Sequence, residues 1–160
     1  MKSLVVFFSL EGHTKYVAKL LAEELKADLV ELETVKEYPK RGFAKYFWCG
    51  KASVFREKPE LKTKIPDFSK YELIVIGTPV WAGNCTPPIN TLLSKASFSG
   101  KKLGILVTNG GGSIAKCVKQ ITKVLPGNNV LQPLHFVNPE ESKREEILQK
   151  IRSWINAINE

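Results

Sequence analysis

The sequence predicts an α/β fold in which helices cover both faces of a parallel sheet. Apolar runs typical of buried strands alternate with stretches of helical periodicity, and no repeat, low-complexity tract or linker interrupts this alternation. The 160 residues, 43% of them hydrophobic, suit one domain with a full core, spanning residues 1–160. A separate substrate domain is not expected.

Five strands are expected, and three of them are strongly apolar. The strong strands lie near residues 2–8, 72–77 and 102–108, where nearly unbroken apolar runs are typical of central parallel strands. Acidic residues interrupt the second strand, near 28–33, and a proline interrupts the fifth, near 129–137. Because proline within a sheet is confined to edges and bulges, these two weak strands fit the edges.

Helical periodicity and end signals predict the helices. The first covers about 13–26, and a later one runs from about 114 to 125, where Pro-Gly stops it. The last is expected to begin with Asn138 as its cap and Pro139 at its first helical position, and its buried stripe runs from Ile147 to Ile158.

The segment from Tyr38 to Lys64 is the second crossover connection, and two interpretations are open. In the first interpretation it is a covering helix, which a parallel connection needs, with its aromatic side chains buried against the sheet. Alternatively, part of this aromatic and basic surface docks a partner or shapes the substrate side of a cofactor pocket. The aromatic residues concerned are Phe43, Tyr46, Phe47, Trp48 and Phe55.

A distinctive turn follows each of the three strong strands. The first, Ser9–Thr14, combines hydroxyl donors and a glycine with the unpaired N–H groups of a helix start, which favours a phosphate. The second, Thr78–Asn84, holds Trp81, whose flat ring suits stacking on a planar cofactor. The third, Thr108–Ser113, contains three consecutive glycines that let a ligand approach the backbone. Together the turns predict one pocket.

These three turns, in their order and spacing over the whole chain, resemble those of the flavodoxin family. The resemblance implies FMN as the cofactor and a flavodoxin-like three-layer α/β/α fold with a five-stranded parallel sheet of order 2-1-3-4-5. It also implies a phosphate loop and two loops at the isoalloxazine ring. The cofactor-binding residues expected are Ser9, Glu11, Gly12, His13 and Thr14, then Thr78, Pro79, Val80, Trp81, Ala82, Gly83 and Asn84, then Thr108, Asn109, Gly110, Gly111 and Gly112.

Two positions depart from the family's pattern. Glu11 stands where the phosphate loop typically has a hydroxyl residue, so a carboxylate lies near the phosphate and should cost affinity unless it points outward. His13 or Lys15 could offset that charge. The third loop carries no aromatic residue, so backbone alone is expected to cover one face of the ring.

The net charge of +8 gathers in the middle of the chain. Between Lys36 and Lys70, ten Lys or Arg residues stand against four acidic ones. Common flavodoxins are acidic, so the reversed sign predicts an acidic redox protein or an anionic small molecule as partner, unless the charge is only a solvated face. No nucleic-acid-binding motif accompanies the charge, and nucleic acid is not expected.

The remaining features point to an ordinary intracellular protein. The three cysteines lack C-x-x-C spacing and are expected to be structural thiols, and no metal site is predicted. Because neither a signal peptide nor a membrane-spanning run is visible, we expect a cytoplasmic protein, monomeric or homodimeric.

Two functions fit the pattern. The first is an electron-transfer flavoprotein that cycles its FMN and passes electrons to a partner, for which no catalytic acid or base is needed. The alternative is an NAD(P)H-dependent FMN or quinone reductase on the same fold. A phosphorylation receiver is excluded because Phe7-Phe8-Ser9 lacks the acidic residues for magnesium, and a P-loop nucleotidase because Gly-Lys-Ser/Thr is missing.

Overall fold

The computed structural model describes all residues, 1–160, and builds one sheet with helices on both faces. The strands are β1 Ser3–Phe7, β2 Asp28–Glu31, β3 Leu73–Trp81, β4 Asn84–Cys85, β5 Lys102–Asn109, β6 Asn129–Val130 and β7 Leu134–Val137. The helices are α1 His13–Leu25, α2 Gly42–Val54, α3 Pro87–Lys95, α4 Ala115–Val124 and α5 Arg144–Asn159. None of them combines the length and hydropathy needed to cross a bilayer.

The strand order confirms the predicted topology. It runs β2-β1-β3-β5, after which β6 and then β7 pair with β5, all in parallel. The predicted fifth strand is thus split in two, because the stretch between β6 and β7 contains Pro133, which has no N–H to give to the ladder. The two strands with weak patterns, β2 and the split fifth strand, lie at the edges of the sheet as predicted.

The three strong strands form the centre of the sheet. β1 and β3 are paired from Ser3 with Leu73 to Phe7 with Gly77, and β3 and β5 are paired from Leu73 with Lys102 onward. Their side chains alternate between two cores. One core packs against α1 and α5, and the other against α3 and α4. Buried apolar residues on both faces explain the unbroken apolar runs.

The strand β3 is longer than predicted. It continues through Thr78 to Trp81 and then turns back into β4, which pairs with it in antiparallel fashion. Ala82 and Gly83 form the turn with φ values of +49° and +77°, the pair of positive angles of a tight hairpin. Part of the predicted second loop is therefore a hairpin, which gives Trp81 a fixed backbone position.

The predicted start of the last helix is wrong. Asn138 has a φ of +42° and donates its N–H to Asn109 O, so it extends the pairing of β7 with β5 instead of capping a helix. Pro139 lies in the following extended segment, and α5 begins only at Arg144 after a short 3₁₀ turn, Glu141–Lys143. The ladder hydrogen bond to β5 outweighs the local capping signal.

Of the two interpretations of the crossover, the one that buries its aromatic side chains against the sheet is wrong. The covering helix exists as α2, but it turns Cys49, Ala52 and Ser53 toward the protein and leaves the aromatic side chains outside. These small residues allow a close approach to the β3–β4 hairpin, where Ser53 Oγ donates to Trp81 O at 2.6 Å. The exposed side chains are Phe43, Tyr46, Phe47, Trp48 and Phe55.

Candidate cofactor-binding site

A cavity of about 490 Å³ opens at the carboxyl ends of β1, β3 and β5. The turns after these strands meet there because the carboxyl ends of parallel strands share one edge of the sheet. Each of the three predicted loops lines the cavity, and α2 and the segment Asn138-Pro139 supply further walls. The cavity has the size of a typical small-molecule site.

The first loop contributes Ser9, Glu11, His13 and Thr14 to the lining. Gly12 is not among the lining residues; it has a φ of +105°, and its N–H donates to Ser9 Oγ at 3.1 Å. No protein acceptor receives the N–H groups of Glu11, His13 and Thr14, or that of Lys15. Unpaired amides at a helix start attract an anion, so the backbone of this loop fits a phosphate.

Thr14 joins the first loop to the third. Its side chain is buried, and its Oγ1 shares a hydrogen bond with Thr108 Oγ1 at 2.7 Å. Thr14 belongs to α1 and Thr108 to β5, and the two residues are 94 positions apart in the sequence. The contact fixes the distance between the loop expected to hold phosphate and the loop expected to hold the ring.

Glu11 is paired within the cavity wall instead of standing free. Lys45, from α2, donates a hydrogen bond to its carboxylate, and His13 Nε2 lies 4.0 Å away. This hydrogen bond to Glu11 is the main reason that the pKa of Lys45 is raised. Lys15 points elsewhere, to Glu31 at 2.6 Å. Of the two residues expected to offset the charge of Glu11, His13 lies near it and Lys15 does not. Lys45, which was not expected there, lies closer to Glu11 than His13 does.

The second loop places Trp81 on the cavity wall together with Pro79, Val80 and Ala82. The Trp81 ring packs edge-to-face on Phe8 and Tyr38, with centroids 5.7 and 5.5 Å away. Burial, followed by the charges of Glu57 and Cys49, raises the pKa of Tyr38 to about 12, so its hydroxyl stays neutral. The remaining members of the loop, Thr78, Gly83 and Asn84, do not line the cavity.

Thr78 and Asn84 instead hold the hairpin in place. The Thr78 hydroxyl donates to Pro79 O at 2.7 Å, and Thr86 N–H donates to Thr78 Oγ1 at 3.2 Å. Asn84 lies buried and accepts from Gln120 Nε2 of α4 at 2.7 Å. These buried polar groups therefore have protein partners, which makes them supports for the Trp81 loop.

The third loop contributes Thr108, Asn109 and Gly110 to the cavity, whereas Gly111 and Gly112 lie outside it. The Asn109 side chain donates to the carbonyls of both outer glycines, at 3.0 and 3.3 Å, and so closes the loop on itself. His135 donates from Nε2 to Asn109 Oδ1 at 2.8 Å. His135 is thus a structural residue that supports the loop from β7.

Helix α2 contributes residues to the site that the sequence did not mark individually. The lining residues from α2 are Lys45, Tyr46, Cys49 and Gly50. Desolvation is the main cause of the raised pKa of Cys49, so its thiol stays protonated. Nothing local marks Lys45, because it lies 34 positions from Glu11 and is one of many lysines in this segment. The only sequence signal was the aromatic and basic character of the whole crossover.

Comparisons with known proteins agree with this geometry. The family model described as Flavodoxin matches residues 2–158. A protein from Bacteroides eggerthii DSM 20697 assigned as a flavoprotein is 24% identical, with a TM-score of 0.78 over 99% of this chain and 98% of its own. A flavoprotein from Lactobacillus acidophilus NCFM, solved in complex with FMN, is 23% identical, with a TM-score of 0.72 over 91% and 97%.

A more distant structure, that of the azoreductase AzrA, is 16% identical, with a TM-score of 0.52 over 96% of this chain and 98% of its own. No curated protein matches the sequence. Identities this low show a shared fold, whereas the family model covers nearly the whole chain and includes all three loops of the cavity. The chain belongs to the flavodoxin family.

Proposed function

We propose that this protein binds FMN in the cavity and works as an electron-transfer protein. The observation that carries the proposal is the meeting of the three loops around one cavity of about 490 Å³, with unpaired amides at one end and Trp81 at the other. The flavodoxin family supports FMN as the cofactor. When bound, FMN supplies the redox chemistry, and the protein supplies position and electrostatics.

The loop Ser9–Thr14 would hold the phosphate. Its free amides lie at the N-terminus of α1, where the helix dipole adds to the attraction for an anion. The hydroxyls of Ser9 and Thr14 line the same wall. Lys45 neutralises the carboxylate of Glu11, which would otherwise repel a phosphate.

The hairpin after β3 and the loop after β5 would hold the ring system. Trp81 supplies a flat surface, and Gly110 leaves room for the backbone to approach. The titratable groups near Trp81 stay protonated at neutral pH, since the pKa values of Tyr38 and Cys49 are both raised. Neither side chain therefore supplies a general base beside Trp81.

The partner we propose is anionic: an acidic redox protein or an anionic small molecule. The basic excess between Lys36 and Lys70 includes α2, which forms one wall of the cavity. Opposite charges accelerate the encounter of two molecules and raise its dependence on salt. The cytoplasmic location and the monomeric or homodimeric state expected from the sequence stay predictions.

Cofactor binding is tested by comparing the dissociation constants of FMN, FAD and riboflavin. FMN should bind most tightly because only it presents a terminal phosphate to the amides of α1. Thr14→Ala should weaken FMN by about 1 to 3 kcal/mol, the range for losing a hydrogen bond to a charged group. Thr14→Ser keeps the hydroxyl and serves as the control. Riboflavin binding as tightly as FMN would contradict the phosphate loop.

The choice between carrier and reductase requires a second experiment. The FMN-loaded protein is reduced anaerobically with dithionite and, separately, with NADPH, and the visible spectrum is followed. A carrier takes electrons from dithionite and leaves NADPH unreacted. Rapid bleaching by NADPH would favour the alternative, an NAD(P)H-dependent FMN or quinone reductase.

A further inference from the structure

The outward face of α2 is apolar where a surface helix is normally polar. Phe43, Phe47 and Val54 follow one another at i, i+4 and i+11, which places them along one line of the helix. They are 82%, 53% and 59% exposed, and Trp48 beside them is 51% exposed. The protein's own core therefore leaves this stripe, Phe43, Phe47, Trp48 and Val54, uncovered.

The stripe is ordered as a continuous surface. The rings of Phe43 and Phe47 stack with centroids 6.2 Å apart, and Trp48 meets Phe47 edge-on at 5.6 Å. The stripe is also distinct from the cavity wall, because Lys45 and Cys49 point to the cavity from the other side of α2. Its exposure is thus not explained by FMN binding.

The charged residues of α2 and of the turn before it are all positive. No Asp or Glu occurs from Tyr38 to Arg56. Lys40 and Arg41 lie just before α2, and Arg56 lies just after it. Lys51 within the helix has its Nζ 5.3 Å from the centre of the Trp48 ring. None of these four cations takes part in a salt bridge.

We propose that the stripe and its flanking cations dock α2 onto an anionic membrane surface. Helices that lie in the headgroup region of a bilayer typically carry Phe and Trp on one face, with Lys and Arg around them. The cations complement anionic headgroups, and the rings enter the boundary between headgroups and acyl chains. The apolar stripe lies outside the FMN cavity, so this inference stands or fails independently of FMN, and it shares only its flanking cations with the surface proposed for the anionic partner.

Two other occupants fit less well. A second copy of the chain would bring the same cations face to face, since a twofold interface pairs a patch with itself. An acidic protein would match the charge but would also need an apolar patch to cover Phe43 and Phe47, whereas the boundary of an anionic bilayer offers both.

The test is co-sedimentation of the FMN-saturated full chain with vesicles, repeated without FMN. Binding is expected to vesicles of phosphatidylcholine mixed with phosphatidylglycerol at low ionic strength, and to be much weaker with phosphatidylcholine alone. The emission of Trp48 should shift to shorter wavelength. Trp48→Phe should lose that shift and still sediment, which separates Trp48 from Trp81 and Trp154.

Paired variants separate the apolar and the charged parts. Phe43→Ser with Phe47→Ser should lower vesicle affinity at least about tenfold, whereas Phe43→Leu with Phe47→Leu should keep it. Lys40→Glu with Arg41→Glu should lower it by a similar factor. Lys19→Glu with Lys26→Glu makes the same charge change at α1 and its end, in the opposite layer, and should have a smaller effect.

Each other outcome overturns the proposal. If anionic vesicles do not bind the wild type, or bind the Ser variant equally well, the stripe is not a membrane surface. An unchanged Trp48 emission on bound vesicles would mean that a different basic face makes the contact. If the Ser variant loses only its electron transfer to an acidic protein, the stripe belongs to that partner. Circular dichroism of each variant verifies folding, and the flavin spectrum reports FMN binding separately.

Discussion

At the scale of single residues, the ion pair of Glu11 and Lys45 has the largest effect on the charge of the cavity wall. The carboxylate lies where a phosphate is expected, and Lys45 reaches it from another element and carries the opposite charge. Where the family typically has a hydroxyl residue, this chain has Glu11 together with Lys45. Either residue alone would leave an unbalanced charge in the cavity wall.

This pair predicts the effect of removing either charge. Lys45→Met should weaken FMN, because it leaves Glu11 unbalanced beside the phosphate, and Glu11→Gln should strengthen it. Each change is about 1 kcal/mol, roughly fivefold in the dissociation constant, because the pair is partly solvated. The double variant should bind FMN nearly as the parent does, which fluorescence titration can measure. Unchanged FMN affinity in either single variant would show that the pair does not act on the phosphate.

Trp81 gives a second prediction at this scale. Trp81→Ala should weaken FMN and increase the fluorescence of the bound flavin, because a stacked indole quenches it. It should also lower the free energy of unfolding of the protein without FMN, by about 3 kcal/mol for a partly buried large aromatic, since Phe8 and Tyr38 lose their edge-to-face partner. Trp81→Phe is the matched control for packing. Unchanged fluorescence and affinity would place the indole away from the ring.

His135 predicts a dependence of stability on pH. Desolvation, followed by the charge of Lys150, lowers the pKa of His135, so the folded protein favours its neutral form. The unfolded chain takes up this proton first as the pH falls through about 6.5, and stability therefore decreases below that pH. His135→Gln should show a smaller decrease between about pH 7 and pH 5 in urea unfolding. Identical profiles would exclude His135 as the cause.

At the scale of elements, the close pairing of β1, β3 and β5 limits what their residues can be. An added Cβ on Gly77 would lie 2.8 Å from Phe7 Cβ, and one on Gly104 would lie 3.0 Å from Val75 Cγ2. Neither glycine needs an unusual backbone angle. Glycine is needed at both positions because neighbouring side chains occupy the space that a Cβ would fill. The close pairing of the strands in turn brings the loops that follow them to one cavity.

Gly77 and Gly50 therefore respond in opposite ways to the same change. Gly77→Ala should destabilise the protein by about 1 to 3 kcal/mol, the usual cost of overpacking a core. Gly50→Ala, inside α2 with open space around it, should stabilise it by about 0.5 to 1 kcal/mol through helix propensity. Urea unfolding without FMN measures both. An unchanged free energy of unfolding in Gly77→Ala would show that β1 and β3 can separate without cost.

At the scale of the whole molecule, the unequal distribution of charge sets how other molecules approach. The net charge of +8 is opposite in sign to that of common flavodoxins, and most of it lies in the segment that includes α2. The cavity is lined by this same helix, so we expect a reactant that approaches it to meet a positive field. Such a field accelerates anions and slows cations.

Oxidation of the reduced FMN protein by two small acceptors tests this field. The rate with ferricyanide, an anion, should fall as salt is added, and the rate with hexaammineruthenium(III), a cation, should rise, because ions screen charges beyond about 10 Å at 0.1 M. Lys40→Glu with Arg41→Glu should reduce both salt slopes and leave FMN affinity unchanged. Slopes equal to those of the parent in stopped-flow measurements would mean that these charges do not act on the cavity.

The sequence by itself determined the fold and the three loops. The strands β1, β3 and β5 and the helix α1 follow from hydrophobic periodicity, and the loops follow from glycine, proline and hydroxyl residues within a few positions. These signals are local, because they come from backbone angles and from the alternation of buried and exposed positions. The predicted strand order and the flavodoxin family are confirmed by the structure and the comparisons.

Only the tertiary structure decided which face of α2 turns inward. Apolar residues lie all around this helix, so its periodicity does not mark a core face. The small residues Cys49, Ala52 and Ser53 face inward because they let α2 approach the β3–β4 hairpin, and the larger rings are left outside. That rotation brings Lys45 to Glu11 and exposes Phe43 and Phe47. Contacts between residues far apart in the chain depend on how whole elements pack, which no local pattern records.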